Sequence, residues 1–230
     1  MNTHLIHPDF QIQIKYRIKD RIKDWKRELS RHRNLIIFSL LLLAISVLIN
    51  YLSGHYVDTV ASARTTDLLL DYMPVIDLNL IYTYGYEIVL LIMFLFPLFF
   101  DVKEFHVTIS QYSLLVLIRS FFILLTHLRT PIDAVAIPSV QVFNFLYFKN
   151  DLFFSGHTAL PFLGYLLFRH KRIRYFFLIA TFIMAATVLF MHVHYSIDVF
   201  AALFIAYGSY MLGKSFFKKV VSEDKSFHKI

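Results

Sequence analysis

Residues 35–52 read LIIFSLLLLAISVLINYL, an apolar run that begins shortly after Arg33 and ends before a polar stretch. A helix of about 20 mainly apolar residues spans the hydrocarbon core of a bilayer, so this stretch predicts a membrane span. The run follows mostly polar residues and is longer than a signal-peptide core of about 7–15 residues. We therefore expect it to be a membrane helix that is retained in the protein.

Further apolar runs of similar length follow along the chain. Together with the first they predict six spans, at about 35–52, 80–100, 107–127, 152–168, 175–191 and 196–213. The expected fold is an all-α membrane protein, a six-helix domain (35–213) between a basic N-terminal arm (1–34) and a basic tail (214–230). The composition agrees, because only 17% of the residues are charged, against roughly 25% in soluble domains.

Basic residues orient this predicted bundle. Of the 23 lysines and arginines, 19 lie in the N-terminal arm, in the loops after the second and fourth spans, and in the tail. The positive-inside rule therefore predicts that both termini are cytoplasmic. The net charge of +7 is explained by this topology and by anionic lipid head groups, so we expect no nucleic-acid partner. The arm segment IKYRIKDRIKDWKREL (14–29) fits an amphipathic helix on the inner leaflet or a partner-binding helix.

Two histidines are predicted to meet at the opposite, extracytoplasmic face. His157 lies in FFSGHTALPFLG (153–164), at the outer end of the fourth span, and His194 follows the fifth span. The 37 positions that separate them fit one helix inward, a basic turn and one helix outward. The chain has no cysteine, so any chemistry at this face depends on histidines, acids and hydroxyls.

The segment MHVHYSIDVF (191–200) places Asp198 four residues after His194. Either both residues share one helix face, or Ser196 caps the sixth helix with Asp198 in its first turn and His194 in the connector. Both arrangements let the carboxylate hold one imidazole nitrogen and leave the other free to act as a base or nucleophile.

Three features beside the histidines indicate an anion site. Gly156 permits close approach to backbone amides at a helix start, and Pro161 removes the amide that would bond the carbonyl of His157. Arg119, inside the third span, needs a partner such as Asp198, Glu87 or a substrate phosphate. Two purely structural explanations of these residues are a kinked helix with a snorkelling histidine and an internal ion pair of Arg119 with Glu87.

The stretches NDLFFSGHT and HYSIDV resemble the paired signatures of the sphingomyelin synthase group, a branch of the phosphatidic acid phosphatase type 2 superfamily. LIRSFFILLTHL is similar to that group's segment in an earlier membrane helix, with Arg129 where the group has proline. The resemblance covers residues 115–213 and includes the six-span layout. The superfamily's lipid phosphatases carry a Lys-x6-Arg-Pro segment and an arginine where this chain has Val188, and both basic elements are missing here.

The resemblance implies a phospholipid head-group transferase that needs no cofactor or metal. By carry-over, His194 attacks a phosphodiester lipid with help from Asp198, His157 protonates the leaving alcohol, and a lipid alcohol such as ceramide or diacylglycerol takes the head group from phosphohistidine. The residues expected to bind the substrate phosphate are Arg119, Ser155, Gly156, Thr158 and Arg129. The missing cations favour a diester donor, since a phosphomonoester is close to a dianion.

Three alternatives stay open from the sequence. The first is a lipid phosphate phosphatase or phospholipase C-like hydrolase on the same scaffold. The second is a zinc site made by His157, His192, His194 and Asp198, and the third is a non-catalytic lipid-binding protein. The small size fits a bacterial inner-membrane protein with its site facing the periplasm, or an organelle lumen in a eukaryote. Linear sequence leaves the head group, the acceptor and the oligomeric state open.

Overall fold

A computed structural model of the protein describes residues 21–137 and 148–227, with side chains described through Phe216. Within these residues the chain forms helices and loops and no β-strand. Ile14 and Ile18 of the predicted amphipathic arm lie outside the described residues. The helices are α1 (21–31), α2 (Arg33–Val60), α3 (Tyr86–Phe100), α4 (Val102–Leu125), α5 (Gly156–Leu167), α6 (Arg174–Phe190) and α7 (Ser196–Phe227).

Four helical segments are long and apolar enough to cross a membrane, as the hydropathy predicted. They are Arg33–Val60, Ile81–Phe100, Val102–Leu125 and Ser196–Phe216. The second of these includes a π-helical turn, Ile81–Gly85, that leads directly into α3. These lengths and compositions confirm an all-helical integral membrane protein.

The helix of the fourth predicted span is shorter than expected, whereas the helix of the fifth has the predicted length. α5 has 12 residues and α6 has 17, whereas a full span needs about 20. In the fourth predicted span, α5 begins at Gly156 and not near 152, because Phe153 has a φ of 136° and Ser155 is extended. Each predicted span contains a helix, and the count of six spans and their orientation stay predictions.

The polar and apolar residues of α2 lie on different faces of that helix. Buried polar side chains recur about every turn or two turns: Ser39, Ser46, Asn50 and Ser53. α2 packs along α4, and small polar residues at such an interface let two membrane helices approach closely. Large apolar residues such as Phe38, Leu41 and Leu52 are exposed, as a lipid-facing surface requires.

The second half of the bundle packs around α5. This helix lies against α6 and α7, and the core between them contains Leu163, Phe177 and Ala206. A Cβ on Gly164 would lie 2.4 Å from the ring of Phe177, so glycine lets α5 and α6 approach at this point. The hairpin brings the start of α5 and the start of α7 to the same end of the bundle.

Two connections hold the ends of the bundle. Trp25 in α1 donates its indole N–H to the carbonyl of Leu98, at 2.7 Å, so α1 is attached to the end of α3. At the opposite end, Asp67 accepts the N–H of Ser196 at 2.6 Å. The hydroxyl of Tyr195 donates to the carbonyl of Arg129 at 3.0 Å. These bonds tie two separate loops to Tyr195 and Ser196, at the start of α7.

Candidate active site

His194 and Asp198 form a buried pair at the start of α7. Nδ1 of His194 lies 3.1 Å from Oδ2 of Asp198, and the two side chains are 5% and 1% exposed. His194 precedes the helix and Asp198 lies in its first turn, as in the second of the two predicted arrangements. Ser196, which that arrangement made the cap, is instead the first residue of the helix. The same Oδ2 accepts the backbone N–H of Tyr195 at 3.1 Å. Because Asp198 engages Nδ1, Nε2 is the nitrogen that can act on a substrate.

The turn before α7 has the geometry that this pair needs. His192 has a φ of 52°, a left-handed conformation that is uncommon outside glycine. It reverses the chain between the end of α6 and the start of α7. The ring of His192 is buried, and its Nε2 has no hydrogen-bond partner among the described residues. The structure thus gives His192 a conformational role in the turn.

His157 lies in the first turn of α5, between two tyrosine rings. The ring of Tyr82 stacks on it with centroids 3.9 Å apart and planes at 24°, and the centroid of Tyr86 lies 4.3 Å away. Tyr82 belongs to the π-helical turn and Tyr86 begins α3. Single π turns inside α-helices are frequent at functional sites. Here the turn is part of the structure that fixes the imidazole plane.

Arg119 is paired with Asp151 and not with Asp198 or Glu87. One of its terminal nitrogens lies 2.5 Å from Oδ2 of Asp151, and the other donates to the side chain of Asn50 at 3.2 Å. The predicted protein partners were wrong, because the non-helical segment before α5 brings Asp151 beside α4, and a substrate phosphate as a further partner stays a prediction. The pair is only 13% and 17% exposed, so this carboxylate offsets part of the cost of burying the guanidinium.

Three of the other predicted phosphate-binding residues lie at the start of α5, and the fourth, Arg129, lies elsewhere. Gly156 lies at the first position of α5, where an added Cβ would be 3.5 Å from Nε of Arg119. Ser155 and Thr158 are fully buried, and their hydroxyls have no hydrogen-bond partner among the described residues. Arg129 lies elsewhere: its Nε donates to the carbonyl of Ala61 at 2.9 Å, and it does not line either of the cavities described below.

A cavity of about 780 Å³ is lined by His157, His194, Arg119, Asp151 and Gly156. Its polar end contains both histidines with Arg119 and Asp151, and its remaining walls are mainly apolar residues of α2, α3 and α4. Ile88, Leu91 and Leu95 line it from α3 and are also exposed on the outside of the bundle. The cavity is therefore open toward the surface on which lipid chains would lie. It has the shape and polarity to hold an amphiphile with its head at the histidines.

Sequence reasoning missed four residues of this site: Asn50, Asp151, Tyr82 and Tyr86. Asn50 stood out only as a polar residue within the first apolar run, and Asp151 lies inside the quoted NDLFFSGHT stretch. Intramembrane polar residues are functional candidates by default, so Asn50 carried a usable signal. Tyrosines are common at membrane interfaces, and the two stacking tyrosines carried none.

The zinc reading receives no support from the side-chain arrangement. Within the described residues, no group of three or more His, Cys, Asp or Glu side chains is placed to hold a metal ion. His157 and His194 line one cavity, and Asp198, which contacts Nδ1 of His194, does not line it.

Comparison with known protein families finds a match in the second half of the chain. No curated protein and no solved structure matches the chain. Residues 150–215 match the family described as PAP2 superfamily C-terminal. The matched segment contains His157, His194 and Asp198, and it begins just before Asp151. The match supports the assignment of this segment to the phosphatidic acid phosphatase type 2 superfamily, whose members typically act as phosphatases or phosphotransferases.

Proposed function

We propose that this protein is a phospholipid head-group transferase. It moves a phosphorylated head group of the phosphocholine or phosphoethanolamine type from a glycerophospholipid to a lipid alcohol such as ceramide or diacylglycerol. One observation carries the proposal: two histidines, one held by a carboxylate, line the polar end of a cavity whose apolar walls open to the lipid-facing side. The superfamily match supports the same class of chemistry.

In the first half of the proposed reaction, Nε2 of His194 attacks phosphorus and forms an N–P bond. The P–O bond to the diacylglycerol oxygen breaks, and protonated His157 gives its proton to that oxygen. The contact of Nδ1 with Asp198 keeps Nε2 unprotonated at the start and stabilises the positive charge that develops on the ring. Diacylglycerol then leaves through the apolar cavity.

In the second half, neutral His157 takes the proton of the incoming lipid alcohol. The alcohol oxygen attacks phosphorus, the N–P bond breaks, and His194 returns to its neutral form. His157 donates a proton in the first half of the reaction and accepts one in the second, so its ring has to stay in the same position in both halves. Stacking by Tyr82 and Tyr86 supports that requirement.

The phosphate is proposed to bind between Arg119 and the start of α5. The first intrahelical bond of α5 runs from the N–H of Ala159 to the carbonyl of Ser155. The amides of Gly156, His157 and Thr158 therefore have no acceptor within the helix and favour an anion. Thr158 remains a candidate through its backbone N–H. The N–H of Ser155 already donates to the carbonyl of Asp198 at 3.0 Å, so Ser155 would have to bind the phosphate through its hydroxyl. Arg129 would need to move from its contact with Ala61 to take part.

The charge of the site favours a diester donor. Arg119 is the one lysine or arginine among the described residues that line the large cavity, and the carboxylates of Asp151, with which it pairs, and Glu87 line the same cavity. A dianionic phosphomonoester needs more positive charge than this, whereas a zwitterionic phospholipid brings its own cation. A hydrolase of the phospholipase C or lipid phosphatase type is the second candidate, because a small polar cavity also reaches His194 and could supply water.

The test uses the full chain in mixed micelles with head-group-labelled phospholipids and fluorescent ceramide or diacylglycerol. A new fluorescent phospholipid that disappears with His194→Ala is the expected result. Soluble phosphorylated head group without new lipid would establish hydrolysis in place of transfer. If no donor, including phosphatidic acid, is consumed, the non-catalytic reading stands. The proposed location, a bacterial inner membrane with the site facing the periplasm, is checked by thiol labelling of cysteines introduced into outer loops.

A further inference from the structure

A second, smaller cavity also reaches His194. It has a volume of about 270 Å³ and shares Tyr82, Asp151 and His194 with the large cavity. Its other walls are the outer connections of the bundle: Thr130, Ala134, Val135, Ala136, Ile137, Phe148, Lys149 and Val193. His194 therefore lies at the junction of two cavities, one between membrane helices and one beneath the outer loops.

The wall of the small cavity is a fixed part of the structure. The backbone N–H of Val135 donates to the carbonyl of Met191 at 2.9 Å. The side-chain amide of Asn79 donates to the carbonyl of Ala136 at 3.1 Å. Val135 also packs on the cluster that contains Tyr82 and Met191. Residues 134–136 are thereby held at both edges, and two of the three are alanines. A short backbone wall with small side chains leaves space that larger residues would fill.

The two cavities suit different chemical groups. The large cavity is mainly apolar along α3, whereas the small one presents Thr130, Lys149 and Asp151 together with backbone groups. The small cavity has about one third of the volume of the large one and lies just below the range of about 300–1,000 Å³ typical for drug-sized ligands. It is too small and too polar for acyl chains. A compact charged group fits its size and its lining.

We infer that the small cavity holds the polar head group of the donor and limits its size. The inference rests on the proposed transferase reaction. With phosphorus beside His194, the leaving diacylglycerol and the incoming alcohol use the large cavity, and the head group stays in the small one through both halves. The head group is then selected at residues 134–136, and the lipid alcohol is selected separately along α3.

Steric filling of the small cavity tests this division. Ala134→Leu and Ala136→Leu are expected to lower kcat/KM for a phosphocholine donor about tenfold more than for the smaller phosphoethanolamine donor. The KM for the lipid alcohol stays at the wild-type value. Ile132→Ala is the matched control, because Ile132 lies on the same loop, is 79% exposed and lines neither cavity. An equal loss with both donors, or a change confined to the alcohol, overturns the inference.

Thiol labelling gives a readout that does not require turnover. The chain has no cysteine, so Ala136→Cys and Ile132→Cys each carry a single reactive thiol. Glycerophosphocholine is expected to slow maleimide labelling at position 136 and to leave position 132 unchanged. A short-chain diacylglycerol is expected to protect neither. Protection without any lipid turnover would keep the head-group site and refute the transferase, whereas turnover without protection or head-group selectivity would refute the site.

Discussion

The backbone N–H of Ser155 donates to the backbone carbonyl of Asp198 at 3.0 Å. Ser155 immediately precedes the helix that carries His157, and Asp198 is the residue that orients His194. One hydrogen bond between segments 43 positions apart therefore joins the two histidine motifs. The spatial relation of the two imidazoles is set by the backbone, and the side chains of Ser155 and Asp198 remain available for other contacts.

Asp198→Asn tests the orienting carboxylate. The amide keeps the size of the side chain but removes the negative charge that supports the His194 ring, so we expect transferase activity to fall by about 100-fold or more. Initial rates with labelled donor measure the loss, and circular dichroism checks that the variant is folded. A folded Asp198→Asn protein with near wild-type turnover would show that His194 does not depend on Asp198.

The ion pair of Arg119 with Asp151 has a structural and a functional part that variants can separate. Arg119→Gln leaves Asp151 buried without its partner and is expected to reduce the free energy of unfolding by on the order of 3 kcal/mol. The double variant Arg119→Gln with Asp151→Asn removes both charges and should recover most of the stability. We expect it to stay inactive, since no cation remains to bind phosphate. Full recovery of activity would reduce Arg119 to a structural role.

The tyrosine stack on His157 predicts a clear order among variants. Tyr82→Phe and Tyr86→Phe keep the rings and are expected to retain kcat within about threefold, whereas Tyr82→Leu and Tyr86→Leu free the imidazole and lower kcat more than tenfold. KM for the donor should change less than kcat, because the ring position matters most for proton transfer. Equal kcat values for the Phe and Leu variants would contradict a positioning role.

Asp67 predicts a pH-dependent contribution to stability. Burial raises the pKa of its carboxyl, but the N–H groups of Ser196, Leu70 and Leu69 outweigh this effect and hold the pKa below its ordinary value. A folded-state pKa below the unfolded one gives stability that is present above the unfolded pKa and is lost as pH falls through the folded pKa. Thermal unfolding of the wild type and Asp67→Asn should therefore differ at pH 7 and converge as the pH falls through the lowered pKa of Asp67. A constant difference over this range would refute the linkage.

Two helical glycines form a matched pair for testing helix packing. A Cβ at Gly164 would meet Phe177 at 2.4 Å, whereas one at Gly208 meets nothing within 4 Å. Gly164→Ala should lower stability by about 1–3 kcal/mol through overpacking. Gly208→Ala should be neutral or add up to about 1 kcal/mol through helix propensity. Thermal unfolding in one detergent measures both, and equal effects would show that α5 and α6 do not pack as described.

Local patterns predicted the fold class and the histidine pair. Hydropathy over about 20 residues depends only on neighbours along the chain, so the long spans could be located from the sequence. The spacing of His194 and Asp198 likewise allowed their contact in either predicted arrangement, and the structure shows that contact. Where α5 begins was not predictable in this way, because an extended Ser155 and a positive φ at Phe153 shorten the helix inside an apolar run.

The sequence by itself determined that this is a helical membrane protein and that two of its 11 histidines, His157 and His194, lie in polar motifs beside apolar runs. It could do so because burial in lipid and short-range spacing act along the chain. Only the tertiary structure decided which groups surround those histidines. Arg119 pairs with Asp151, 32 positions away, and His157 stacks on Tyr82, 75 positions away. Such contacts depend on how helices pack and on where a loop returns to the bundle. No local pattern encodes these distances, so they are settled only when the whole chain folds.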